Sequence, residues 1–198
     1  MLTARSVRTA WVLAAAIGLL APVVAAPSAS AANSVIQNPS AVRVGHPSVI
    51  KERSAIAKLF VPRFGKNWSR VVYEGVSVSR VLTPLGIGHY PKTALPGQEG
   101  NFAMAAHRFA SGGAFLKIDK LQKGDLAYVE TATMRFTYKF LMSKIVLPSD
   151  VWVVDPEPAG LTVPTTSSAL MTFTTCTPVH VNTHRYIAWF ELISEADL

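Results

Sequence analysis

Short apolar segments, many of them rich in β-branched and aromatic residues, alternate with glycine, proline and asparagine along most of the chain. Such segments fit the pleated, half-buried surface of a sheet, and the residues between them mark turns. Eight short strands in one stretch of chain predict an all-β domain, either a barrel or a sandwich. The predicted strands are residues 56–61, 69–74, 101–106, 126–131, 134–146, 151–155, 169–176 and 185–193.

Helical and nucleotide-binding signals are weak by comparison. Only residues 77–82 and 114–121 have the pattern of short helices, and Gly124 follows the second of them. The triplet Gly86-Ile87-Gly88 lacks the third glycine and the following helix of a dinucleotide-binding turn. The sequence therefore predicts no dinucleotide site.

The N-terminus has the pattern of an export segment. Arg5 and Arg8 are the only charged residues among the first 42, and they precede an apolar run over 9–26 and an Ala-Ser-Ala triplet at 29–31. This order is typical of a secretory signal, and the run is also close to the length that spans a bilayer. We expect the folded domain outside the membrane, anchored there or secreted after cleavage. The predicted division is 1–31 export signal or membrane anchor, 32–54 linker and 55–198 folded domain.

Composition and charge exclude several classes of protein. The 198 residues are 49% hydrophobic and 16% charged, which excludes a disordered chain and predicts a large core. Nineteen basic and twelve acidic residues give a net charge of +7, but the basic residues from Arg43 to Arg185 are spread singly. Because nucleic-acid binding needs basic residues gathered on one surface, we expect no nucleic-acid partner.

Cys176 is the only cysteine, so an exported chain cannot use it in an internal disulfide. It could be a buried small apolar residue, an intermolecular disulfide partner, a metal ligand or a reactive thiol. It ends the threonine-rich apolar segment 169–175, and Pro178 follows shortly after. That pattern places the thiol at the end of a strand.

Arg185 is a candidate partner for Cys176. An antiparallel hairpin centred between His180 and Val181 would set residues 176 and 185 opposite each other, with their side chains on one face. A guanidinium stays charged at any physiological pH and offers two N–H donors to an oxyanion. The alternative is a surface arginine at the end of a hairpin.

The histidines have two possible uses. Cys176, His180 and His184 form a C-x3-H-x3-H spacing, but that spacing binds zinc best on a helix, whereas Pro178 indicates a loop. His107 instead ends the predicted strand 101–106, where an imidazole could exchange protons with a thiol on a neighbouring strand. His107 could equally be a packed histidine.

Four segments of the chain resemble the sortases, transpeptidases of the Gram-positive envelope, and class E most closely. They are GHYPKTALPGQEGNFAMAAHR at 88–108, DVWVVDP at 150–156, LMTFTTC at 170–176 and HRYIAWFEL at 184–192. The resemblance implies a closed eight-stranded β-barrel with short helices and an N-terminal membrane attachment. It also implies cleavage of a C-terminal LAXTG or LPXTG sorting signal between Thr and Gly.

The same resemblance implies residue roles. Cys176 would be the nucleophile, His107 the general acid and base, and Arg185 the residue that stabilises the oxyanion. Tyr90 would bind substrate and favour Ala over Pro after the first Leu of the signal. We expect no cofactor and no metal ion. Two residues depart from the class E pattern: Ala106 precedes His107 where glycine is usual, and Thr177 follows the cysteine where histidine is frequent.

The implied partners are surface proteins that carry a sorting signal, an amine of a peptidoglycan precursor, and the membrane through the N-terminal segment. Cys176 would hold the cleaved protein as a thioester until the amine takes it. Two other functions stay open from the sequence: a pilin-polymerising sortase that uses a protein lysine as acceptor, and a non-catalytic secreted β-barrel binding module whose cysteine is structural.

Overall fold

The computed structural model describes residues 49–198. The predicted export segment, 1–31, and all but the last six residues of the predicted linker, 32–54, lie outside the described residues, so both stay predictions. Within the described part of the chain, no helix combines the length and the apolar character needed to cross a membrane.

Eight strands close into one barrel, which confirms the fold expected from the resemblance. The order around the barrel is β1-β2-β3-β4-β7-β8-β6-β5. The pairs β2–β3 and β4–β7 are parallel, and the others are antiparallel. The strands are β1 Ala55–Phe60, β2 Ser69–Glu74, β3 Ile87–His89, β4 Gly100–Ala106, β5 Leu126–Glu130, β6 Met134–Val146, β7 Ala169–Thr177 and β8 His184–Asp197.

The helical segments are short. A π-helix over Val78–Leu82 leads directly into α1, Thr83–Leu85, where a helix was predicted over 77–82. The helix predicted over 114–121 is reduced to one 3-10 turn, Ile118–Lys120. The other 3-10 turns are Pro62–Phe64 and Val151–Val154.

Two strand predictions were wrong. The segment predicted as a strand over 151–155 is the 3-10 turn Val151–Val154, whose apolar residues pack on the outer surface of the barrel. The third strand, β3, was missed because it has three residues and contains Gly88. A Cβ atom on Gly88 would lie 2.1 Å from the carbonyl oxygen of Gly75, so only glycine permits this approach of two backbones.

The main core fills the barrel interior. Because side chains alternate along a strand, one residue in two of β4, β7 and β8 points inward. In this core, Phe173 stacks on Phe115 with ring centroids 4.7 Å apart and lies 4.6 Å from Phe190. The inward residues of these three strands are Phe102, Met104, Ala106, Met171, Phe173, Ala188 and Phe190.

Two smaller apolar clusters cover the outside of the barrel on either side of β7. One combines Val81 and Leu82 with Ala105 of β4 and the half-buried Tyr90. The other joins Val153 of the β6–β7 connection to Ile187 and Trp189 of β8. Since β7 lies between β4 and β8, these clusters flank its outward side chains.

Candidate active site

Cys176 and Arg185 face each other in the antiparallel pair β7–β8, as the hairpin spacing predicted. The thiol is free and half-buried. Along β8, Ala188 and Phe190 point into the core, whereas Ile187 and Trp189 point outward. Arg185 is two residues before Ile187 and so also points outward, and Cys176, directly opposite Arg185, lies on the same face. Both side chains therefore belong to the outer surface of the barrel.

His107 directly follows β4, the strand that pairs with β7 on the side away from β8. The parallel pairing of β4 with β7 has a constant offset, from Gly100 opposite Ala169 to Ala105 opposite Thr174. The same offset holds one residue further, where the hydroxyl of Thr175 donates to the carbonyl oxygen of Ala106 at 2.7 Å. Continued to the next residue, it sets His107 level with Cys176. Because side chains alternate along a strand, His107 lies on the same outer face as Ala105, which packs in the outer cluster.

Three adjacent strands thus bring a thiol, an imidazole and a guanidinium to one level of the outer surface. An imidazole can hold the proton of a thiol and later give it to a leaving amine. A guanidinium can donate to an oxyanion that forms at the attacked carbonyl. The arrangement of Cys176, His107 and Arg185 is therefore suited to acyl transfer through a covalent intermediate.

The turn between β7 and β8 fixes one side of the Arg185 guanidinium. Its Nη1 donates to the carbonyl oxygens of Asn182 at 3.1 Å and His184 at 3.0 Å. None of the ion pairs found within residues 49–198 includes Arg185. Its positive charge is thus held in place by neutral carbonyls and stays available to an anion.

His107 is held from two directions. Its Nε2 lies 3.2 Å from the hydroxyl of Thr83, the first residue of α1. Its carbonyl oxygen accepts from the backbone N–H of Phe115 at 3.2 Å. The chain between them passes so close to Arg108 that a Cβ on Gly113, at φ +50°, would lie 2.7 Å from the Arg108 carbonyl oxygen. No pattern in the sequence pointed to Thr83, because only the folding of the barrel brings it to His107.

Tyr90 lies along the same outer surface, next to the strand that carries the thiol. Its hydroxyl is 2.9 Å from the hydroxyl of Thr174, two residues before Cys176. The Thr174 hydroxyl donates to the carbonyl oxygen of Met104 at 3.2 Å, so Tyr90 is the donor in the first bond. A backbone bond from Tyr90 to Ala103 at 3.0 Å fixes the tyrosine to β4.

The other three histidines of residues 49–198 are engaged elsewhere. His180 packs against Phe109 with ring centroids 4.0 Å apart and ring planes inclined by 60°, and Nδ1 of His184 lies 3.0 Å from the hydroxyl of Thr183. His89 is buried, with Nδ1 2.7 Å from a carboxylate oxygen of Glu74. From residue 49 onward, no group of three or more His, Cys, Asp or Glu side chains is placed to hold a metal ion. The spacing of Cys176, His180 and His184 does not become a ligand cluster.

Comparison with known proteins assigns this chain to a family. A model of the sortase domain matches residues 59–193. Sortase SrtE1 of Streptomyces coelicolor is 38% identical over 132 residues, which are 63% of this chain and 37% of that protein. Sortase SrtE2 of the same organism is 33% identical over 158 residues, 74% of this chain and 59% of that protein. The matched region therefore spans less than two thirds of either relative.

Solved structures give the same assignment. Sortase E from Streptomyces avermitilis is 35% identical with a TM-score of 0.67, and the match covers 74% of this chain and 93% of that structure. Sortase E1 from Streptomyces coelicolor, solved with a tripeptide in its active site, is 33% identical with a TM-score of 0.68, covering 73% and 91%. From the domain match, the barrel and these relatives, the chain belongs to the sortase family, with class E sortases among its relatives.

Proposed function

We propose that this chain is a cysteine transpeptidase of the outer side of the cell membrane. It cleaves a C-terminal LAXTG or LPXTG sorting signal between Thr and Gly and transfers the protein to an amine of a cell-wall precursor. The observation that carries the proposal is the strand register, which pairs Cys176 of β7 with Arg185 of β8 and, continued past the Thr175–Ala106 bond, sets His107 level with Cys176. The N-terminal segment 1–31 would hold the domain at the membrane.

In the acylation step, the proton of the Cys176 thiol moves to His107, and the thiolate attacks the carbonyl carbon of the signal threonine. The carbon–nitrogen bond to glycine breaks, and His107 gives its proton to the departing amine. The protein that carried the signal is then joined to Cys176 as a thioester. No group other than the thiol and the imidazole needs to carry the proton.

Arg185 acts on the tetrahedral intermediate of both steps. Nη1 is engaged by the two carbonyl oxygens of the turn, which leaves the Nε and Nη2 edge of the guanidinium to donate to the oxyanion. A planar group held on one edge loses little freedom when its other edge binds. The neutral partners of Nη1 support this role because they do not compete as anions.

In the second step an amine attacks the thioester carbon, and His107 accepts its proton while the thiolate of Cys176 departs. The acceptor is a peptidoglycan precursor amine. A protein lysine, as in a pilin-polymerising sortase, would react by the same proton path. The two acceptors differ only in which amine reaches the thioester.

Tyr90 contributes to the choice of signal. Because its hydroxyl proton is used on Thr174, the phenol oxygen faces the substrate as an acceptor beside the strand that leads to Cys176. We expect L-A-x-T-G peptides to react faster than L-P-x-T-G peptides. Tyr90→Phe should reduce that difference by roughly 0.5–1.5 kcal/mol, the net contribution of one hydrogen bond, measured as the ratio of kcat/KM for the two peptides. Equal values for wild type would contradict the role of Tyr90.

The transfer reaction itself tests the proposed function. The full chain is incubated with an L-A-x-T-G peptide and, separately, with triglycine, a lysine-containing pilin-type peptide or no amine, and the products are identified by mass spectrometry. We expect cleavage between Thr and Gly and a new amide with triglycine. Transfer to lysine alone would assign a pilin polymerase. Intact peptide in every arm, with Cys176 resistant to iodoacetamide until denaturation, would favour a binding module.

A further inference from the structure

Arg108, the residue after His107, has its side chain buried at the end of the barrel, on the inner side. Only 9% of this side chain is exposed. Its Nη1 donates to the hydroxyl of Thr177 at 2.8 Å, and Nη2 lies 3.2 Å from a carboxylate oxygen of Asp119. Its guanidinium carbon lies 5.4 Å from the centre of the Tyr186 ring. Among the described residues, its Nε has no hydrogen-bond partner.

These contacts join the residues that directly follow the three site residues. Thr177 follows Cys176, Tyr186 follows Arg185, and Arg108 itself follows His107. Because side chains alternate, the three successors lie inside the barrel wall when the site residues lie outside it. From the inner side of the barrel wall, Arg108 therefore contacts β7, which carries Cys176, and β8, which carries Arg185.

Arg108 and Thr177, which are joined by a hydrogen bond, are the same number of residues apart in sequence as the paired residues of β4 and β7. Regular pairing ends with Ala105 opposite Thr174, and the Thr175 hydroxyl bonds Ala106 one step later. The Arg108–Thr177 bond comes two steps further, after the level of His107 and Cys176. One of these two bonds lies just before the level of His107 and Cys176, and the other lies just after it. Together they fix the distance between the two chain segments where the regular backbone pairing of β4 and β7 has ended.

Packing alone does not explain a charged residue at this place. A buried guanidinium is costly when its N–H groups are not all satisfied, and here one of them has no partner within the described chain. An apolar side chain of similar volume would fill the space without that cost. What a guanidinium adds is the simultaneous contact with Thr177, Asp119 and the Tyr186 ring.

We propose that Arg108 is a positioning residue, which holds His107 in register with Cys176 through its hydrogen bond to Thr177. The inference rests on the proposed function, because it assumes that His107 exchanges protons with the thiol. It adds a requirement of this chain: the residue after the cysteine must supply a hydrogen-bond acceptor to the arginine after the histidine. Thr177 meets that requirement.

The test compares Thr177→Val, which loses the hydroxyl but keeps the shape, with Thr177→Ser, which keeps the hydroxyl. Each is made in the wild-type chain and in His107→Ala. The readouts are kcat and KM with an L-A-x-T-G peptide, the rate of Cys176 alkylation by iodoacetamide at pH 7, and the thermal midpoint. Thr172→Val is the matched control, since the Thr172 hydroxyl bonds the Asn101 side chain of β4 at 2.7 Å, four residues before Cys176 along β7.

Thr177→Val should lower kcat about tenfold with KM within twofold, because small displacements of catalytic groups cost much of their effect. Thr177→Ser should restore kcat to within twofold. In the wild-type chain, Thr177→Val should slow the alkylation of Cys176. In the His107→Ala chain, the same substitution should leave the alkylation rate unchanged. Thr172→Val should lower the thermal midpoint without changing the alkylation rate. Arg108→Met should match Thr177→Val, and the double variant should be no slower than the slower single variant.

Other results would overturn the inference. A Thr177→Val chain with wild-type kcat, or one that slows alkylation equally with and without His107, would show that the bond does not act through the imidazole. Losses that multiply in the double variant would mean two independent effects. If Arg108→Met fails to fold, the Thr177 pair of variants still decides. Failure of the proposed function is seen separately, as wild-type protein that does not turn over the peptide.

Discussion

The two ends of β7 carry similar side chains and differ in what lies over them. Near its start, Thr172 is fully buried, and its hydroxyl donates to Asn101, whose amide donates to the carbonyl oxygen of Asp155 at 3.0 Å. The β6–β7 connection therefore covers this end. Near its C-terminal end, the hydroxyls of Thr174 and Thr175 donate to backbone carbonyl oxygens of β4, but Cys176 stays half-buried.

This difference shows that the cover over the strand, more than the strand itself, determines where chemistry can occur. Threonine hydroxyls hold β7 to β4 along the whole strand, so the strand is equally well positioned at both ends. Only the end without a cover leaves a thiol accessible to a peptide. Variants at the open end should change activity, and variants at the covered end should change stability.

The largest expected effect at the open end is from Arg185→Lys. Lysine keeps the charge but not the planar pair of donors, so kcat should fall by roughly 10² or more, as when an oxyanion donor is lost. Arg63→Lys is the matched control, because Arg63 bonds Asp125 at 2.7 Å on an exposed face. If Arg185→Lys is within threefold of wild type with an unchanged circular dichroism spectrum, Arg185 only ends the hairpin.

At the covered end, Asn101→Ala should act on stability. It leaves the Thr172 hydroxyl and the carbonyl oxygen of Asp155 without their side-chain partner, which costs about 1–3 kcal/mol of unfolding free energy. Chemical denaturation measures it. The rate of Cys176 alkylation should stay within twofold of wild type. A variant of unchanged stability with a slow thiol would reverse the assignment of the two ends.

Thr83→Val tests a smaller effect at the open end. The hydroxyl 3.2 Å from Nε2 of His107 orients the ring, and its loss should lower kcat about three- to tenfold, the effect of about 1 kcal/mol. Thr83 is exposed, so the fold should not change. Thr83→Ser should keep wild-type kcat. A Val variant as fast as wild type would mean that His107 needs no orientation from α1.

The smallest expected effect is a loss of folding stability at low pH, caused by protonation of Glu191 at the covered end. Burial raises the pKa of Glu191, but hydrogen bonds from Lys139 and from the backbone and hydroxyl of Thr166 outweigh it, so the pKa lies below its usual value. A carboxylate with a lowered pKa stabilises the fold above the pKa of the unfolded chain. That stability is lost as the pH falls through the folded pKa.

Glu191→Gln should therefore be less stable than wild type at pH 7, by about 2–4 °C in the thermal midpoint. The two midpoints should converge as the pH falls below about 4.3, the ordinary pKa of a glutamate, because wild type loses the same contribution there. Thermal unfolding monitored by circular dichroism at each pH measures this. A difference that stays constant as the pH falls from 7 to below that value would show that folding does not lower the pKa of Glu191.

The sequence predicted the features that depend on local pattern. Alternation of apolar residues gave seven of the strands, and the turn between them set Cys176 opposite Arg185. The prediction of a strand over 151–155 was wrong. Its residues Val151–Val154 form a 3-10 turn that packs on the barrel, and an apolar run in such a turn has the same composition as a buried strand. Thr83 and Arg108 could not be found, since each reaches its partner through a contact between distant elements.

The covalent intermediate tests the central claim most directly. Wild-type protein is mixed with an L-A-x-T-G peptide without an added amine, quenched in acid at short times, and measured by intact mass spectrometry beside Cys176→Ala. We expect wild type to gain the mass of the peptide up to threonine, on a peptide fragment containing Cys176 and removable by hydroxylamine, and the variant to gain nothing. Cleavage of the peptide by Cys176→Ala, or an adduct on another residue, would contradict the claim that this thiol at the open end of β7 is the nucleophile.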